Sequence, residues 1–436
     1  MLNEGTIIAK GTANGSAAIC IIRLSGINSI DMVSNCFKAE SGKILANQKS
    51  HTIHFGTLYD KKRAIDEVLI SLFIAPKSYT GENVVEISCH GSTYIQQEIF
   101  QLFIRQGAIL AKPGEFTLRA FLNKKMDLIQ AEAVADLIAS ESEAAHQVAL
   151  DQMRGGYTQE IALMRQKLID FASLITLELD FSEEDVAFAD RKSLDSLIDE
   201  LTKKIKSLID SFQYGSAVKQ GIPVVITGKP NAGKSSLLNT LLNEDRAIVS
   251  EIPGTTRDTI EDTVNIEGLQ FRFIDTAGLR ETNDKIEYIG VERAKEKVKK
   301  ARILIYMFDQ NDVTIEEILM TIKNFERQSL ITILVENKID LRKNSEDSKF
   351  YTDLKKIIKN HSIADFIKIS TFDKESIEGL KRSLNNQFQG KTLTGDIVVT
   401  NVRHLHSLKK SLKSIKNIKI GLKDKLSGDL LSVDIN

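Results

Sequence analysis

Gly228-Lys229-Pro230-Asn231-Ala232-Gly233-Lys234-Ser235 follows the apolar run Ile222 to Thr227 and precedes Ser236-Leu237-Leu238-Asn239, which opens a helical pattern. Strand, glycine-bearing turn and helix start in that order make a phosphate-cradling loop, because the first N–H groups of a helix lack intrahelical partners and favour an anion. Gly228 and Gly233 let the backbone curl around a β-phosphate, Lys234 reaches the β/γ oxygens, and the Ser235 hydroxyl is placed for Mg²⁺. A nucleotide site in an α/β domain is therefore the first expectation.

Further motifs follow in order. Asn337-Lys338-Ile339-Asp340 comes directly after the apolar run Leu330 to Val335, where a parallel strand ends and ligands meet a doubly wound sheet. It looks like the guanine-reading motif of GTPases. The Asp340 carboxylate offers two acceptors to N1–H and the exocyclic amine of guanine, and adenine presents no such pair. Sites built on such hydrogen bonds reject the wrong analogue by roughly 10⁴-fold. Between the two loops lie Gly254-Thr255-Thr256-Arg257-Asp258 and Asp275-Thr276-Ala277-Gly278, the second behind Phe271-Arg272-Phe273-Ile274, read as a strand. Thr256 and Asp275 suit the Mg²⁺ shell, and the Gly278 N–H suits the γ-phosphate, so both segments would respond to hydrolysis. Signalling GTPases place a water-orienting Gln where this chain has Leu279, which neither donates nor accepts a hydrogen bond. Glu281, Asp284 and Glu287 are the carboxylates available instead, and Asn231 could offer a carbonyl oxygen to a monovalent cation.

A length of 436 residues implies about two to four domains. Apolar residues make up 42%, enough for ordinary cores, and 58 basic against 59 acidic residues leave a net charge of −1, so any RNA contact must be local. Cys20, Cys36 and Cys89 are too far apart for a disulfide framework or paired metal ligands, and Cys89 beside His90 reads as a small hydrophobe rather than a nucleophile. No run approaches membrane-spanning length, and a cytoplasmic protein is expected.

Runs at Ala17 to Leu24, Val68 to Ala75 and Val84 to Ser88 read as strands and Tyr94 to Arg105 as a helix, giving a mixed N-terminal domain. Beyond it the pattern is helical, with Ile129, Ala133, Val134, Leu137 and Ile138 expected on one face and a break at Gly155-Gly156. Strands end at Phe366-Ile367-Lys368-Ile369-Ser370, after which helix returns. Arg403 to Lys425, rich in Lys with interleaved Leu and Ile, reads as an amphipathic helix with a solvated basic face or as a phosphate-backbone contact. The expected fold class is an α/β P-loop GTPase domain (216–385) inserted in an α-helical domain (119–215 and 386–436), with an N-terminal α+β domain (1–118).

The chain resembles the MnmE (TrmE) family of tRNA-modification GTPases over nearly its whole length. Pro113-Gly114-Glu115-Phe116-Thr117-Leu118-Arg119-Ala120-Phe121-Leu122-Asn123, continuing through Lys125, Asp127-Leu128 and Gln130-Ala131-Glu132-Ala133, is similar to that family's signature at the entry to its helical domain. Ile21-Ile22-Arg23-Leu24-Ser25-Gly26 and Tyr79-Thr80-Gly81-Glu82-Asn83-Val84-Val85-Glu86 resemble its N-terminal segments, and Gly-Thr-Thr-Arg-Asp and Asp-Thr-Ala-Gly-Leu-Arg carry the family's spelling.

The resemblance implies a K⁺-stimulated GTPase that works as a homodimer with the flavoprotein MnmG. Together they add a carboxymethylaminomethyl-type group to C5 of the wobble uridine of certain tRNAs, using a 5-formyl- or methylene-tetrahydrofolate one-carbon unit. It makes the N-terminal α+β domain tetrahydrofolate-binding-like and places Arg23, Glu86 and Lys125 at the folate. It places Asn231, Ala232, Gly233, Lys234, Ser235, Ser236, Thr255, Thr256, Asp275, Thr276, Ala277, Gly278, Asn337, Lys338, Asp340 and Ser370 at GTP. Mg²⁺ falls to Ser235 and Thr256, K⁺ to Asn231 with backbone oxygens near Ser250, Ile252 and Thr255, and water placement to Glu287. Two departures stand out. Ser370-Thr371 replaces the family's Ser-Ala, a change expected to matter little because a backbone N–H would still meet the base. The sequence given ends at Leu431-Ser432-Val433-Asp434-Ile435-Asn436 where the family carries Cys-Ile-Gly-Lys, so GTP hydrolysis is expected to be intact and folate binding and modification to be weaker or to rely on chemistry without that Cys. A ribosome-assembly GTPase is the alternative, but no two glycines stand three apart, as the Gly-x-x-Gly clamp of a KH module requires. A scaffold whose GTPase merely switches partner binding is a third reading.

Overall fold

The computed structural model describes residues 5–180, 191–246, 262–274, 296, 298–327, 330–341, 348–361, 363–389 and 397–423. They divide into two compact units, 1–135 and 136–436.

The first unit is built on a seven-stranded sheet: β1 Ile7–Lys10, β2 Ala17–Ser25, β3 Phe37–Ala39, β4 Thr52–Asp60, β5 Arg63–Phe73, β6 Val84–Gly91 and β7 Ile109–Leu110, in the order β3-β4-β5-β6-β2-β1-β7. Only the β1–β7 pair is parallel. Alternation sends Ile22, Leu24, Val68, Ile70, Leu72, Val85 and Ile87 to one face, where the helices Ser29–Ser34 and Thr93–Arg105 cover them with Ile30, Val33, Ile99, Leu102 and Phe103. On the opposite side Ile53, Phe55 and Leu69 stay exposed. Strands expected at Ala17, Val68 and Val84 form. β4 escaped the periodicity because Gly56, with no side chain, sits on its buried side, where a Cβ would meet the Lys38 carbonyl at 2.2 Å.

Three of the signature segments converge inside this unit. The Arg119 guanidinium, 5% exposed, donates to Glu82 at 3.0 and 3.2 Å and to the Gly5 carbonyl at 2.9 Å. Glu82 in turn accepts from the Ser25 hydroxyl at 2.7 Å, and Ser25 lies 2.7 Å from the Thr80 hydroxyl. Asn123 donates to the Thr80 carbonyl at 2.7 Å. The end of β2, the 76–83 loop and the helix Glu115–Leu122 are thus tied through the buried Arg119 guanidinium and the partly exposed Glu82 carboxylate.

In the second unit a six-stranded sheet runs in the order β13-β12-β11-β8-β10-β9. Its strands are β8 Ile222–Thr227, β9 Asp262–Ile266, β10 Leu269–Phe273, β11 Ile303–Phe308, β12 Ile331–Glu336 and β13 Ile363–Lys368. All pairs are parallel except β9–β10. β11 is buried at every position, the run expected of a central strand covered on both faces. Helices Lys234–Arg246 and Lys374–Gln389 cover one face through Leu237, Leu238, Leu241, Ile377, Leu380 and Leu384, and Ile315–Phe325 and Ser348–Asn360 pack with Tyr306, Phe308 and Leu334.

Around this sheet lie the helices Glu143–Met153, Gly156–Asp180, Arg191–Gln220 and Val402–Lys423. The expected break occurs at Gly155, with φ +85°. Helix Arg191–Gln220 leads through Gly221 (φ +77°) straight into β8, and Val402–Lys423 packs against it although the whole α/β segment intervenes in sequence. The close approach is made at Gly215, where a Cβ would meet the Val399 carbonyl at 2.4 Å, and Ser211 accepts the Val399 N–H at 3.1 Å. Over residues 402–423 the basic stretch is an amphipathic helix, with Leu408, Ile415 and Ile418 buried. One expectation is corrected: Ile138 is 82% exposed while Ala133 is fully buried. Nine residues at about 100° each place Ile138 half a turn from Ile129, so the five apolar residues do not share one narrow face.

Replacing Arg119 by Ala leaves the partly exposed Glu82 carboxylate without its cation, and losing charged hydrogen bonds of this kind costs about 1.5–3 kcal/mol. Urea unfolding should show the first unit's transition lowered by that order; a loss under about 1 kcal/mol, the value of an exposed pair, would mean the cluster is solvated.

Candidate functional site

The carboxyl ends of β8, β11, β12 and β13 bring four loops to one edge of the sheet. The loop after β8 has left-handed backbone at Gly228 (φ +146°), Asn231 (+60°) and Gly233 (+100°) before the helix begins at Lys234. Neither glycine admits a side chain: a Cβ at Gly228 would lie 1.9 Å from the Met307 carbonyl of β11, and one at Gly233 would lie 2.1 Å from Asn337 Nδ2. The Asn337 amide fills that space and donates to the Ala232 carbonyl at 2.8 Å. Sequence reasoning gave Gly233 a phosphate role; the structure adds a second demand, access for the guanine-type loop.

Lys234 Nζ donates to the Gly228 and Lys229 carbonyls at 2.8 and 2.6 Å, and burial lowers its pKa. An ammonium held by carbonyls alone and partly desolvated is well suited to an anionic ligand. Lys229 anchors the loop from outside, bonding both Glu317 oxygens at 2.8 and 2.7 Å and the Asp312 carbonyl at 2.8 Å. Glu317 also closes a capping box with Thr314, and the Lys229 ammonium holds its carboxyl below the usual range.

In the loop after β12, the Asn337 N–H bonds the Phe308 carbonyl at 2.8 Å. Lys338 takes left-handed φ (+62°) with its ammonium 3.1 Å from Asp309, and Asp340 stands exposed on a short turn. Glu336, just ahead of the motif, is buried and accepts from the Tyr351 hydroxyl at 3.0 Å. That support was missed because a carboxylate at a strand end reads as exposed. Ser370 is buried after β13 with its N–H donated to Ser376 at 3.1 Å. Ser235 lies half-buried and Ser236 exposed on the first turn of their helix. Asn231, Ala232, Gly233, Lys234, Asn337, Lys338, Asp340 and Ser370 are thus on the strand-end loops and helix start of one sheet edge. Ser250, Ile252, Thr255, Thr256, Asp275, Thr276, Ala277, Gly278 and Glu287 lie outside the described residues, as do Leu279, Glu281 and Asp284.

In the first unit Arg23 and Glu86 are cross-strand partners of β2 and β6, 2.8 Å apart, on the sheet side away from the helices. Lys125 donates to the Pro76 carbonyl at 3.0 Å in the loop held by Arg119 and Glu82. Cys20, Cys36 and Cys89 are all buried and free, and burial pushes Cys89 up to about 12 and Cys36 to about 11, so Cys89 packs as the small hydrophobe expected. Among the described residues no His, Cys, Asp or Glu cluster could hold a metal, and no helix is long and apolar enough to cross a membrane.

A mostly parallel sheet with a phosphate loop after β8, one of its two middle strands, and an Asn-Lys-x-Asp loop locked to it defines a P-loop nucleotide-binding protein of the guanine-reading class. The family models described as "GTP-binding protein TrmE N-terminus" and "MnmE helical domain" match residues 6–125 and 128–436. The protein named "tRNA modification GTPase MnmE" from Flavobacterium psychrophilum is 50% identical across 100% of this chain and 93% of its own length. Its namesakes from Christiangramia forsetii and Bacteroides thetaiotaomicron are each 50% identical with the same coverage. The chain belongs to the MnmE family of tRNA-modification GTPases.

Gly233→Ala should displace the Asn337 amide and weaken GDP binding by at least about 100-fold, roughly 2.8 kcal/mol. A fluorescent-GDP titration checks this, and wild-type affinity would show that the loops are not interlocked. Iodoacetamide at pH 8 should label the native thiols at least about 100-fold more slowly than the unfolded ones, since each is buried.

Proposed function

We propose that this chain hydrolyses GTP to GDP and phosphate and couples that cycle to modification of C5 of the wobble uridine of certain tRNAs. It would act with a flavoprotein partner of the MnmG type. The observation that carries the reading is the hydrogen bond from Asn337 to Ala232, which joins the phosphate loop to the base-reading loop in a chain of this family. Asn231, Ala232, Gly233, Lys234, Ser235, Ser236, Asn337, Lys338, Asp340 and Ser370 would contact the nucleotide, with Thr255, Thr256 and Asp275 to Gly278 completing the site. Mg²⁺ fits a first-turn hydroxyl at Ser235 with Thr256. K⁺ fits Asn231, whose left-handed backbone carries an exposed side-chain amide, with oxygens near Ser250, Ile252 and Thr255. Such a cation supplies positive charge beside the β/γ bridge, and Glu287 orients water.

Arg23, Glu86 and Lys125 are assigned to a tetrahydrofolate carrying a formyl or methylene one-carbon unit. A guanidinium beside a carboxylate suits a ligand bearing both carboxylates and donor edges, and the pair occupies an open sheet side. The apolar residues Ile53, Phe55 and Leu69 on that side support a homodimer, because exposed patches of this kind mark interaction sites. The domain reading is a folate-binding domain at 1–118, a helical domain at 119–215 and 386–436, and an inserted GTPase domain at 216–385. The packing of Arg191–Gln220 on Val402–Lys423 across the intervening sheet favours it. A cytoplasmic location accords with a tRNA substrate.

GTP turnover in K⁺ should exceed that in Na⁺ by at least about tenfold, and Asn231→Ala should abolish the difference; equal rates in both salts would remove Asn231 from the cation. Mass analysis of wobble nucleosides in a deletion strain should lose the C5 adduct, whereas an unchanged profile would leave only a switch.

A further inference from the structure

At the β3–β4 edge of the first unit's sheet, a cleft of about 790 Å³ opens between the β4–β5 turn, β3 and the end of the helix Thr93–Arg105. Its charged lining is Lys38, Lys61, Lys62, Arg105 and Asp60. Asp60 accepts from Arg105 at 2.8 Å, which fixes that guanidinium and uses up the acid. Among the described residues Lys38, Lys61 and Lys62 have no ion-pair partner, and all three are exposed. A neutral chain therefore concentrates three uncompensated positive charges in one concavity.

Backbone geometry adds an independent argument. Asp60 pairs with Arg63, so Lys61 and Lys62 are the whole two-residue turn, and Lys61 holds a left-handed φ of +56°. Asn-Gly, Asp-Gly or Gly-x is the turn chemistry such a hairpin prefers. The turn itself does not favour a lysine at this position, so the charge that Lys61 brings to the cleft lining is not explained by the hairpin.

We propose that this cleft docks the phosphodiester backbone of tRNA, the positioning contact that base-independent recognition needs. The assignment rests on the reading of tRNA as substrate and locates where the RNA lies on this chain. Lys38, Lys61 and Lys62 neutralise successive phosphates, while Arg105, braced by Asp60, bounds the cleft.

Fluorescence anisotropy of labelled tRNA on the full chain across a KCl series tests it. The combination Lys38→Ala, Lys61→Gly and Lys62→Ala should weaken tRNA binding at least tenfold and reduce the slope of log K against log salt by roughly two to three units. GTP turnover without tRNA should be unchanged. Lys61→Gly alone should reduce that slope by about one unit without lowering the melting temperature, since glycine suits the turn. A structural lysine would instead lower the melting temperature and leave the slope alone. Wild-type tRNA binding by the triple variant, or a defect confined to a protein partner, overturns the proposal. Failure of the wild-type chain to bind tRNA would overturn it together with the substrate reading, so the two failures are distinguishable.

Discussion

One hydrogen bond, from the Asn337 amide to the Ala232 carbonyl, organises the nucleotide edge of the second unit. It is possible because Gly233 has no Cβ, and it holds because Asn337 is itself fixed by its N–H on the Phe308 carbonyl. Loops that follow different strands become one surface. Buried polar groups carry a large penalty when unpaired, so the bond is worth more as a constraint than as net stability. Glu336 with Tyr351, and Lys338 with Asp309, brace the same loop from behind and from the side.

The first unit solves a similar problem with charge. Ser25, Thr80, Glu82 and Arg119 come from three distant segments, and the buried Ser25, Thr80 and Arg119 find their polar partners in one another and in the partly exposed Glu82. Their network holds the loop on which Lys125 rests, and β2 carries Arg23 to its partner Glu86. The signature residues quoted from the sequence therefore divide into the Arg23–Glu86 pair on the open side of the sheet and the groups that tie the surrounding segments together.

Mechanical continuity is the third theme. Helix Arg191–Gln220 runs into the phosphate-loop strand through a single glycine, and the segment leaving the sheet is stitched back by Ser211, Gln152 and Gly215. Both the strand β8 and the 397–400 segment thus meet the helix Arg191–Gln220.

Much was legible in order along the chain. The phosphate loop, its strand, the break at Gly155 and three strands of the first sheet follow from local rules of period, glycine and helix ends, and local rules are what a sequence displays. β4 was hidden because its buried side carries Gly56, whose fit depends on the strand beside it. Ile138 was misplaced because five apolar residues spread over half a helix circumference. Which residue fills the space beside Gly233, which acid joins Glu115 in neutralising Arg119, and which lysines have no counter-ion among the described residues were decided by tertiary structure alone. Those outcomes depend on distances between segments 37 to more than 100 residues apart, and no local pattern encodes a distance.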